Sequence, residues 1–482
     1  MGDLTVPLDV WLSWVWTNKV SIAGWTIAII AFVLVPFRRT PAEARSWLLI
    51  FFALPWFAAV AYWLIGRPYF AKGRLERIGR LPDLAMRIPA QIGNTEAVPA
   101  LSSDNRAVAR LAQGVGLFPT VAGNCVEMLS DYHEAYDRII ADIDSAKSHV
   151  HIEFYIFAND AVGDRILAAI ERANERGVQC RVLIDALGSY RWIRAIKRRL
   201  KRCGAEVHDI LPLRRRLRSS RLDLRNHRKI VIVDGRIGYT GSQNVWDPTL
   251  HSGRANRDIL LRICGPAVLQ LQAVFASDWY LETLEELVDG DYFPRLTQDF
   301  EHPAQIVPTG PENPETGMDL IFTQAMYNAA EQIVITTPYF IPNGALISAI
   351  KAAVLGGVKV RLITPARSDH RLVGLAQKSY YSELLAAGVE IYLFAPDFLH
   401  AKHLRVDQEV AVVGTSNMDV RSFELNAEID FISYDADFAR DVQQLEESHL
   451  AFCKRLTFGE WNRRSLWTKV LENSARLMSD LI

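Results

Sequence analysis

A pattern of five residues occurs twice in this chain of 482 residues, and no other feature constrains the fold as strongly. The first copy begins at His227 and the second at His400. In both copies a lysine follows the histidine by two positions, an aspartate by seven, a glycine by fourteen and an asparagine by seventeen. Each copy opens a run of β-branched residues. Such a repeat predicts two similar halves that arose by duplication. The remaining members are Lys229, Asp234, Gly241 and Asn244, then Lys402, Asp407, Gly414 and Asn417.

These residue types suit nucleophilic attack on a phosphodiester. Residues two apart in a β-strand face the same side, so each histidine projects beside its lysine. A neutral imidazole is a nucleophile near neutral pH, and a protonated imidazole is a general acid. The lysines and asparagines supply positive charge and amide donors for phosphoryl oxygens. We therefore predict one phosphoryl-transfer site that uses both histidines and needs neither a metal nor a cofactor. The alternative is that each histidine is an ordinary strand residue, as most single histidines are.

The two copies resemble the signature of the phospholipase D superfamily. The resemblance implies an α/β fold of two phospholipase D-like domains, each a mixed sheet flanked by helices, related by a pseudo-twofold axis. One histidine would become a covalent phosphohistidine, and the other would protonate the leaving alcohol. His227 is the favoured nucleophile by this analogy. The implied phosphate-binding residues are Asn244, Asn417, Ser242 and Ser416, the last two from the stretches Gly241-Ser242-Gln243-Asn244 and Gly414-Thr415-Ser416-Asn417.

The same resemblance implies a carboxylate behind each histidine, which fixes the tautomer of the imidazole. Glu428 occupies the expected position after the second motif, and Asp258 is the candidate after the first. Either one could instead be an ordinary charged residue at a strand end. Asp234 and Asp407 are grouped with the catalytic residues, although in this superfamily they are more often architectural than in contact with substrate.

The sequence around the motifs also supports a duplication. Before each motif lies an apolar strand, a helical stretch, a second strand and a helix that ends at a glycine. Tyr155 to Gly204 and Tyr339 to Gly388 both span 49 positions. Strands that alternate with helices predict an α/β sheet in each half. The predicted domains are 1–80 (membrane anchor and basic linker), 81–290 (first phospholipase D-like domain), 291–318 (proline-containing connector) and 319–482 (second phospholipase D-like domain).

Two further segments invite specific predictions. An arginine-rich insertion at 211–225 lengthens the first half just before its motif, and it is either an anionic headgroup site or a solvated basic loop. The C-terminal stretch 461–482 is predicted to be an amphipathic helix that packs on the catalytic core, with the membrane surface as the alternative. Its apolar stripe consists of Leu466, Trp467, Val470, Leu471, Leu477 and Leu481.

The N-terminus contains two long apolar runs, at 20–37 and 47–65. Each is long enough to cross about 30 Å of hydrocarbon as a helix, so two transmembrane helices are predicted before the catalytic domains. Tryptophans near the ends of the runs suit membrane interfaces. The first run lacks the features of a cleaved signal peptide. We therefore expect a multi-pass protein of the bacterial inner membrane.

Basic residues favour a cytoplasmic catalytic region. Arg38, Arg39 and Arg45 lie between the two apolar runs and favour the cytoplasm for that loop. The segment after the second run carries a larger cluster, so the positive-inside rule assigns the catalytic side to the cytoplasm by a thin margin. The five scattered cysteines suggest neither a disulfide framework nor a zinc site. That larger cluster consists of Arg67, Lys72, Arg74, Arg77 and Arg80, with Lys19 on the same side.

Within the superfamily, the layout of the whole chain resembles the bacterial cardiolipin synthases. The resemblance implies transfer of a phosphatidyl group between two phosphatidylglycerol molecules, with cardiolipin and glycerol as products. The expected partners are phosphatidylglycerol and an anionic membrane, and the net charge of −1 gives no general attraction to nucleic acid. A phospholipase D-type hydrolase, a phosphatidylserine synthase and an inactive membrane scaffold are the alternatives. The acceptor, the acyl-chain preference and the oligomeric state are not readable from the sequence.

Overall fold

A computed structural model of the protein describes residues 8–39, 41–66, 70, 72–87, 101–212, 221–249, 253–296, 300–312 and 317–477. Most of the predicted arginine-rich insertion falls at 213–220 and so lies outside the described residues. Arg67 and the C-terminal residues 478–482 also lie outside them.

The N-terminal region consists of α1 (Leu8–Leu34), α2 (Pro41–Ala53) and α3 (Pro55–Ile65). The prediction of one continuous helix over 47–65 is wrong, because Pro55 breaks that run. Proline lacks the N–H that the preceding turn needs, and it forces Leu54 out of the helical conformation. Within the part of the chain that the structure describes, no helix combines the length and the apolar character that crossing a membrane requires.

Helices α2 and α3 fold back on each other at this break. The ring of Tyr62 on α3 lies 5.0 Å from that of Trp47 and 5.8 Å from that of Phe51, both on α2. Gly24 of α1 faces Pro55 at the tip of the hairpin. The chain therefore enters α2 and leaves α3 at the same end of the helical hairpin.

Two short helices, α4 (Lys72–Ile78) and α5 (Leu81–Arg87), connect this region to the first half. The guanidinium of Arg74 pairs with Glu282, and that of Arg77 donates to the carbonyl oxygen of Leu281. The first half consists of α6 (Ser103–Gly116), β1 (Val121–Leu129), α7 (Tyr132–Ser145), β2 (His149–Phe154), α8 (Ala161–Glu175), β3 (Gln179–Asp185), α9 (Ile193–Arg202), β4 (Glu206–Ile210), β5 (Arg225–Asn226), β6 (Lys229–Val233), β7 (Ile237–Gly241), β8 (Asn256–Arg257), β9 (Leu260–Cys264) and α10 (Ala267–Thr283).

The second half repeats this order of elements. Side chains of Asp160 in the first half and Asn343 in the second accept hydrogen bonds from free backbone N–H groups, and so begin equivalent helices. The elements are β10 (His302–Thr309), α11 (Met318–Tyr327), β11 (Gln332–Thr336), β12 (Phe340–Ile341), α12 (Gly344–Leu355), β13 (Lys359–Pro365), α13 (Arg371–Ala387), β14 (Glu390–Phe394), β15 (Phe398–Leu399), β16 (His403–Val406), β17 (Val410–Gly414), β18 (Met418–Asp419), α14 (Val420–Glu424), β19 (Asn426–Ser433), α15 (Ala436–Leu450), β20 (Cys453–Arg455), α16 (Phe458–Asn462) and α17 (Leu466–Arg476).

Within the described residues, 16 strands from the two halves form one mixed sheet. In each half, three strands are parallel and the strands that carry the motif run antiparallel to them. Strand β10 joins the halves because it pairs with β1 on one side and with β19 on the other. The segment 291–318, predicted only as a connector, therefore contributes a central strand.

Two short strand pairs also link the halves beside the motif histidines. Strand β5 pairs with β19, and the N–H of His227 donates to the carbonyl oxygen of Ala427 at 2.7 Å. Strand β8 pairs with β15, and the N–H of His400 donates to the carbonyl oxygen of Arg257 at 2.8 Å. Each histidine is thus held next to a strand of the other half.

The C-terminal stretch forms two helices, and its apolar stripe does not pack as predicted. Helix α17 contacts α13, where the Arg476 guanidinium lies 4.1 Å from the Tyr380 ring centroid. Its buried residues are Glu472 and Ala475, whereas Trp467 remains 78% exposed. The prediction of the packed face is wrong, because small and ion-paired side chains make the close contact instead.

The motif glycine Gly241 is expected to be essential for stability. Its φ is +152°, and a Cβ there would lie 2.3 Å from the carbonyl oxygen of Ile259 on the neighbouring strand. We expect Gly241→Ala to lower the free energy of unfolding by about 1–3 kcal/mol or more, measured by urea denaturation. The matched control is Gly114→Ala, in the interior of α6, where a Cβ meets nothing within 4 Å. Equal stabilities of the two variants would contradict this account.

Candidate active site

The two motif histidines face one cavity of about 720 Å³ between the halves. His227 follows β5 and His400 follows β15, so each stands at the start of its motif strand. Asn244 and Asn417 also line this cavity. Its size is typical of a pocket for a small molecule or a lipid headgroup. The structure therefore brings both histidines and both asparagines of the repeat to one site.

The carboxylates behind the histidines are exchanged between the halves. Nδ1 of His227 lies 2.8 Å from Oε2 of Glu428, and Nδ1 of His400 lies 2.6 Å from Oδ1 of Asp258. Glu428 and Asp258 directly follow the residues whose carbonyls bind the histidine backbones. The short strand pairs therefore position each carboxylate against the histidine of the other half. A carboxylate at Nδ1 leaves Nε2 available for the chemistry.

The two motif lysines lie beneath the histidines and are almost completely buried. Nζ of Lys229 donates to the carbonyl oxygen of His227 at 2.6 Å, and Nζ of Lys402 makes the same bond to His400. Burial lowers the pKa of Lys229 and brings that of Lys402 to about 8. The carboxylates of Glu428 and Asp258 partly oppose this effect. Neither lysine is among the residues that line the cavity, but each lies directly behind a histidine that does.

Asp234 and Asp407 do not belong to this site. Asp234 accepts hydrogen bonds from the N–H groups of residues 147–149, and Asp407 accepts them from those of residues 330–332. Both have a positive φ, +52° and +51°, at the far end of the motif strand. Neither lines the cavity. Their place among the catalytic residues was wrong, because a carboxylate that satisfies three N–H groups at a loop is architectural.

The two motif serines also differ from the prediction. Oγ of Ser242 donates to Asp258 at 2.6 Å, and Oγ of Ser416 donates to Asp430. Both serines are buried, and neither lines the cavity. The prediction that they bind phosphate is corrected, since their hydroxyl groups are directed at carboxylates. Ser242 instead supports the carboxylate that holds His400.

Several residues of the cavity were not predicted from the motifs. The ring of Tyr155 lies edge-on to His227, with centroids 4.9 Å apart, and its hydroxyl accepts a 2.6 Å bond from Arg225. The equivalent Tyr339 donates its hydroxyl to Asp369 at 2.8 Å. Arg421 also lines the cavity. The equal spacing of the two tyrosines from Gly204 and Gly388 was a usable indication of their equivalence.

The two histidines have different electrostatic surroundings. Burial lowers the pKa of both histidines, and the charges of Lys229 and Lys402 lower both further. At His400, Asp258 opposes these effects. Burial would raise the pKa of Asp258, but His400, Lys402 and the hydrogen bond from Ser242 together outweigh it and the pKa falls. The pKa of Glu428 is instead raised, chiefly by burial. Asp258 is therefore the better partner for a protonated imidazole.

Two histidines in one cavity, each with a lysine, an asparagine and a carboxylate, define a phospholipase D-like site for phosphoryl transfer. The family described as "Cardiolipin synthase, PLD-like domain" matches this chain at residues 139–279 and 322–449. Each matched segment contains one of the two motifs. The chain belongs to this family.

Two cardiolipin synthases are similar in sequence to this chain over nearly its full length. Cardiolipin synthase A of Pectobacterium atrosepticum is 33% identical and covers 98% of this chain and 99% of its own. Cardiolipin synthase of Geobacillus kaustophilus is 31% identical and covers 95% of this chain and 92% of its own. Phosphatidylserine synthase of Haemophilus influenzae has a similar structure, with a TM-score of 0.61, 16% identity and coverage of 78% of this chain and 100% of its own. The last similarity supports the fold alone.

Proposed function

We propose that this chain is a cardiolipin synthase that transfers the phosphatidyl group of one phosphatidylglycerol to the glycerol hydroxyl of another. The products are cardiolipin and free glycerol. The observation that carries the proposal is the pair of histidines in one cavity, each held by a carboxylate of the other half. The similarity to cardiolipin synthases over nearly the whole chain supports the choice of lipid substrates.

The proposed mechanism has two displacements at the same phosphorus. Nε2 of His227 attacks the phosphorus of the first phosphatidylglycerol, and the bond to glycerol breaks as His400 gives that oxygen a proton. The hydroxyl of the second lipid then gives its proton to His400 and attacks the phosphorus, which breaks the bond to His227. Both lysines and both asparagines stabilise the charge on the phosphoryl oxygens.

The surroundings of the histidines support this choice of nucleophile. The main influences on the pKa of His227 all lower it, so this imidazole is neutral and available to attack. The pKa of His400 is also lowered, chiefly by burial, but its bond to the ionised Asp258 opposes this effect, so of the two imidazoles His400 is the one whose protonated form is better supported as a general acid. The exchange of carboxylates between the halves thus gives the two histidines different properties.

The test is the reaction of purified protein in mixed micelles with radiolabelled phosphatidylglycerol. We expect labelled cardiolipin together with free glycerol. Phosphatidic acid as the main product would instead identify water as the acceptor, and a hydrolase would replace the synthase. Product formed only after addition of a nucleotide-activated lipid and serine would favour a phosphatidylserine synthase.

The activity is expected to fall at alkaline pH. The pKa of Lys229 is about 7 and that of Lys402 is about 8, so both cations lose their protons as the pH rises through these values. The neutral lysines bind phosphate less strongly, and kcat/KM for phosphatidylglycerol should fall between about pH 6.5 and 9. Bound phosphate raises both pKa values, so kcat should fall only at higher pH. A value of kcat/KM that stays constant to pH 9, in protein shown to remain folded, would contradict this prediction.

We also propose that the protein resides at the bacterial inner membrane through helices α1–α3, with the catalytic region on the cytoplasmic side. Helices of 13 and 11 residues, such as α2 and α3, extend only about 20 and 16 Å. Their hairpin would dip into the lipid and return to the same side. The exposed apolar side chains support contact with lipid; those exposed by 59% to 64% include Val20, Trp25, Ile29, Phe32, Leu49, Phe57 and Val60.

In this proposal the basic residues before α2 and after α3 lie on one side of the membrane. In a background without native cysteines, we expect Arg38→Cys and Arg80→Cys to react with an impermeant maleimide in inverted vesicles and not in right-side-out vesicles. Glu175→Cys, on the exposed face of α8, reports the side of the catalytic region. Labelling of positions 38 and 80 from opposite sides would instead indicate two full membrane spans.

A further inference from the structure

The cavity that contains the two histidines opens between two equivalent loops. Among the described residues that line this cavity, five are exposed, and the others are buried or half-buried. Tyr190 and Arg191 belong to the loop between β3 and α9. His370, Arg371 and Leu372 belong to the loop after β13 and to the first turn of α13. These five residues form the cavity mouth.

The cavity mouth combines apolar and positively charged side chains. Tyr190 is 56% exposed and Leu372 is 47% exposed. Arg191 lies beside Tyr190, and its Nε donates to the tyrosine hydroxyl at 2.9 Å. Asp369 and Asp419 also line the cavity, but neither is exposed at the mouth. Exposed tyrosine and leucine next to arginine are typical of a surface that contacts the headgroups of an anionic bilayer.

The cavity mouth lies at one edge of the sheet. Its two loops follow the carboxyl ends of the parallel strands β3 and β13, the edge at which open α/β sheets bind their ligands. Glu175 and Leu355 precede the other ends of the same two strands, and both are exposed. Each strand has seven residues and is therefore about 20 Å long. Glu175 and Leu355 thus mark the edge opposite the mouth.

The helices proposed to enter the membrane end next to the same cavity. The N–H of Leu222 donates to the carbonyl oxygen of Leu64, near the end of α3, at 3.0 Å. The carbonyl oxygen of Asp223 accepts a hydrogen bond from Arg421, which lines the cavity. Arg225, two residues further along the chain, lines it as well. The end of α3, where the chain would leave the bilayer, is therefore joined to the wall of the cavity by one short segment.

The size of the cavity limits which part of a lipid it can hold. A volume of about 720 Å³ is typical of a site for one drug-sized ligand, and two phosphatidylglycerols carry four long acyl chains between them. The cavity therefore takes the headgroups, and the chains extend out through the mouth. A mouth that opens into water would expose these chains, whereas a mouth on the bilayer leaves them in hydrocarbon.

We propose that the cavity mouth rests on the surface of an anionic bilayer. Tyr190 and Leu372 lie among the headgroups and the upper parts of the acyl chains, and Arg191 and Arg371 lie at the lipid phosphates. This inference rests on the proposed function and specifies how both lipids reach the histidines, which is headgroup first and without leaving the bilayer. Helices α1–α3 hold the protein at the membrane, and the mouth orients the cavity toward it.

The first test compares the depth of labelled cysteines in the full chain, reconstituted in vesicles of equal parts phosphatidylglycerol and phosphatidylcholine. In a background without native cysteines, Tyr190→Cys and Leu372→Cys each carry a nitrobenzoxadiazole fluorophore, and a lipid with a nitroxide near its headgroup quenches it. The matched controls are Glu175→Cys and Leu355→Cys, at the opposite edge of the sheet. We expect quenching at positions 190 and 372 to be at least about twofold stronger than at the controls. Equal quenching at all four positions, or stronger quenching at the controls, would overturn the proposal.

The second test uses protein with its native cysteines and compares two forms of the substrate. One is phosphatidylglycerol in vesicles, and the other is short-chain phosphatidylglycerol dissolved as a monomer. We expect the double variant Tyr190→Ser with Leu372→Ser to lower the ratio of vesicle to monomer activity by about 10-fold. Leu355→Ser, which removes an equally apolar exposed side chain, should leave this ratio unchanged.

An equal loss with both substrates would overturn the proposal, since the two side chains would then act inside the cavity or on folding. An unchanged ratio in the double variant would overturn it as well. A wild-type protein that forms no cardiolipin from either substrate would refute the proposed function itself. The quenching comparison needs no activity, so it would still decide whether the cavity mouth lies on the bilayer.

Discussion

His227→Ala is expected to abolish both cardiolipin formation and covalent labelling by a phosphatidyl donor, whereas His400→Ala should abolish only the former. Removing the nucleophile removes the phosphatidyl-histidine itself, so the loss should be about 10⁴-fold or more. Removing the general acid slows departure of glycerol by about 10²- to 10⁴-fold. The covalent step of the His400 variant can be restored with a leaving group that needs no proton.

A phosphatidyl ester of p-nitrophenol provides this leaving group. We expect a burst of nitrophenolate, with label on the protein, from wild type and from His400→Ala but not from His227→Ala. His133→Ala, at an exposed position on α7, is the matched control and should behave as wild type. Label on the His227 variant and none on the His400 variant would exchange the two roles. Label on both variants would show that neither histidine is the sole nucleophile and would contradict the assignment of distinct roles.

The fold of each half was predictable because equivalent residues of the two halves are separated by equal numbers of positions. Equal distances from Tyr155 to Gly204 and from Tyr339 to Gly388 correspond to the same succession of strands and helices. The role of β10 was not predictable, because pairing between the halves leaves no mark in the spacing of the chain; its equivalent β1 likewise pairs with a strand of its own half, β9, and with a strand of the other half. The break at Pro55 could have been predicted, since proline cannot continue the preceding turn.

The residues of the site could be predicted from the sequence, but their hydrogen-bond partners could not. Glu428 and Asp258 were identified as orienting carboxylates by their positions after the motifs. Sequence spacing could not reveal that each one serves the histidine of the other half, because the pairing is made by short strands between the halves. The resemblance also assigned the hydroxyl of Ser242 to phosphate, although it binds Asp258 of its own half.

Asp258→Asn is expected to impair proton transfer by His400. Glu428→Gln is expected to impair nucleophilic attack by His227. An asparagine amide can donate a hydrogen bond to Nδ1 and so stabilise the wrong tautomer, which in a comparable triad lowers kcat by about 10⁴-fold. Asp258 also stabilises the protonated imidazole, so Asp258→Asn should lower kcat by about 10²- to 10⁴-fold with little change in KM. Asp258 supports the protonated His400, which is not needed when p-nitrophenol is the leaving group. The phosphatidyl ester of p-nitrophenol should therefore restore the burst in this variant.

Glu428→Gln should respond differently to the same ester. Glu428 orients the nucleophile, so a better leaving group does not correct the defect, and the burst should remain slow. Were each carboxylate paired with the histidine of its own half, the p-nitrophenol ester would restore Glu428→Gln and not Asp258→Asn. The pattern of restoration therefore tests the exchange between halves, which a simple loss of activity does not.

The control for buried charge is Asp430→Asn. Asp430 lies two residues beyond Glu428 on β19, is equally buried and binds Ser416, and burial raises its pKa to about 7. Its carboxyl group bonds Ser416 rather than a histidine, so this variant should retain most of the activity and the wild-type burst. A loss as large as that of Glu428→Gln would mean that β19 tolerates no change, and the special role of Glu428 would lose its support. Retained activity in Asp430→Asn leaves the bond to Nδ1 of His227 as the feature that distinguishes the two carboxylates.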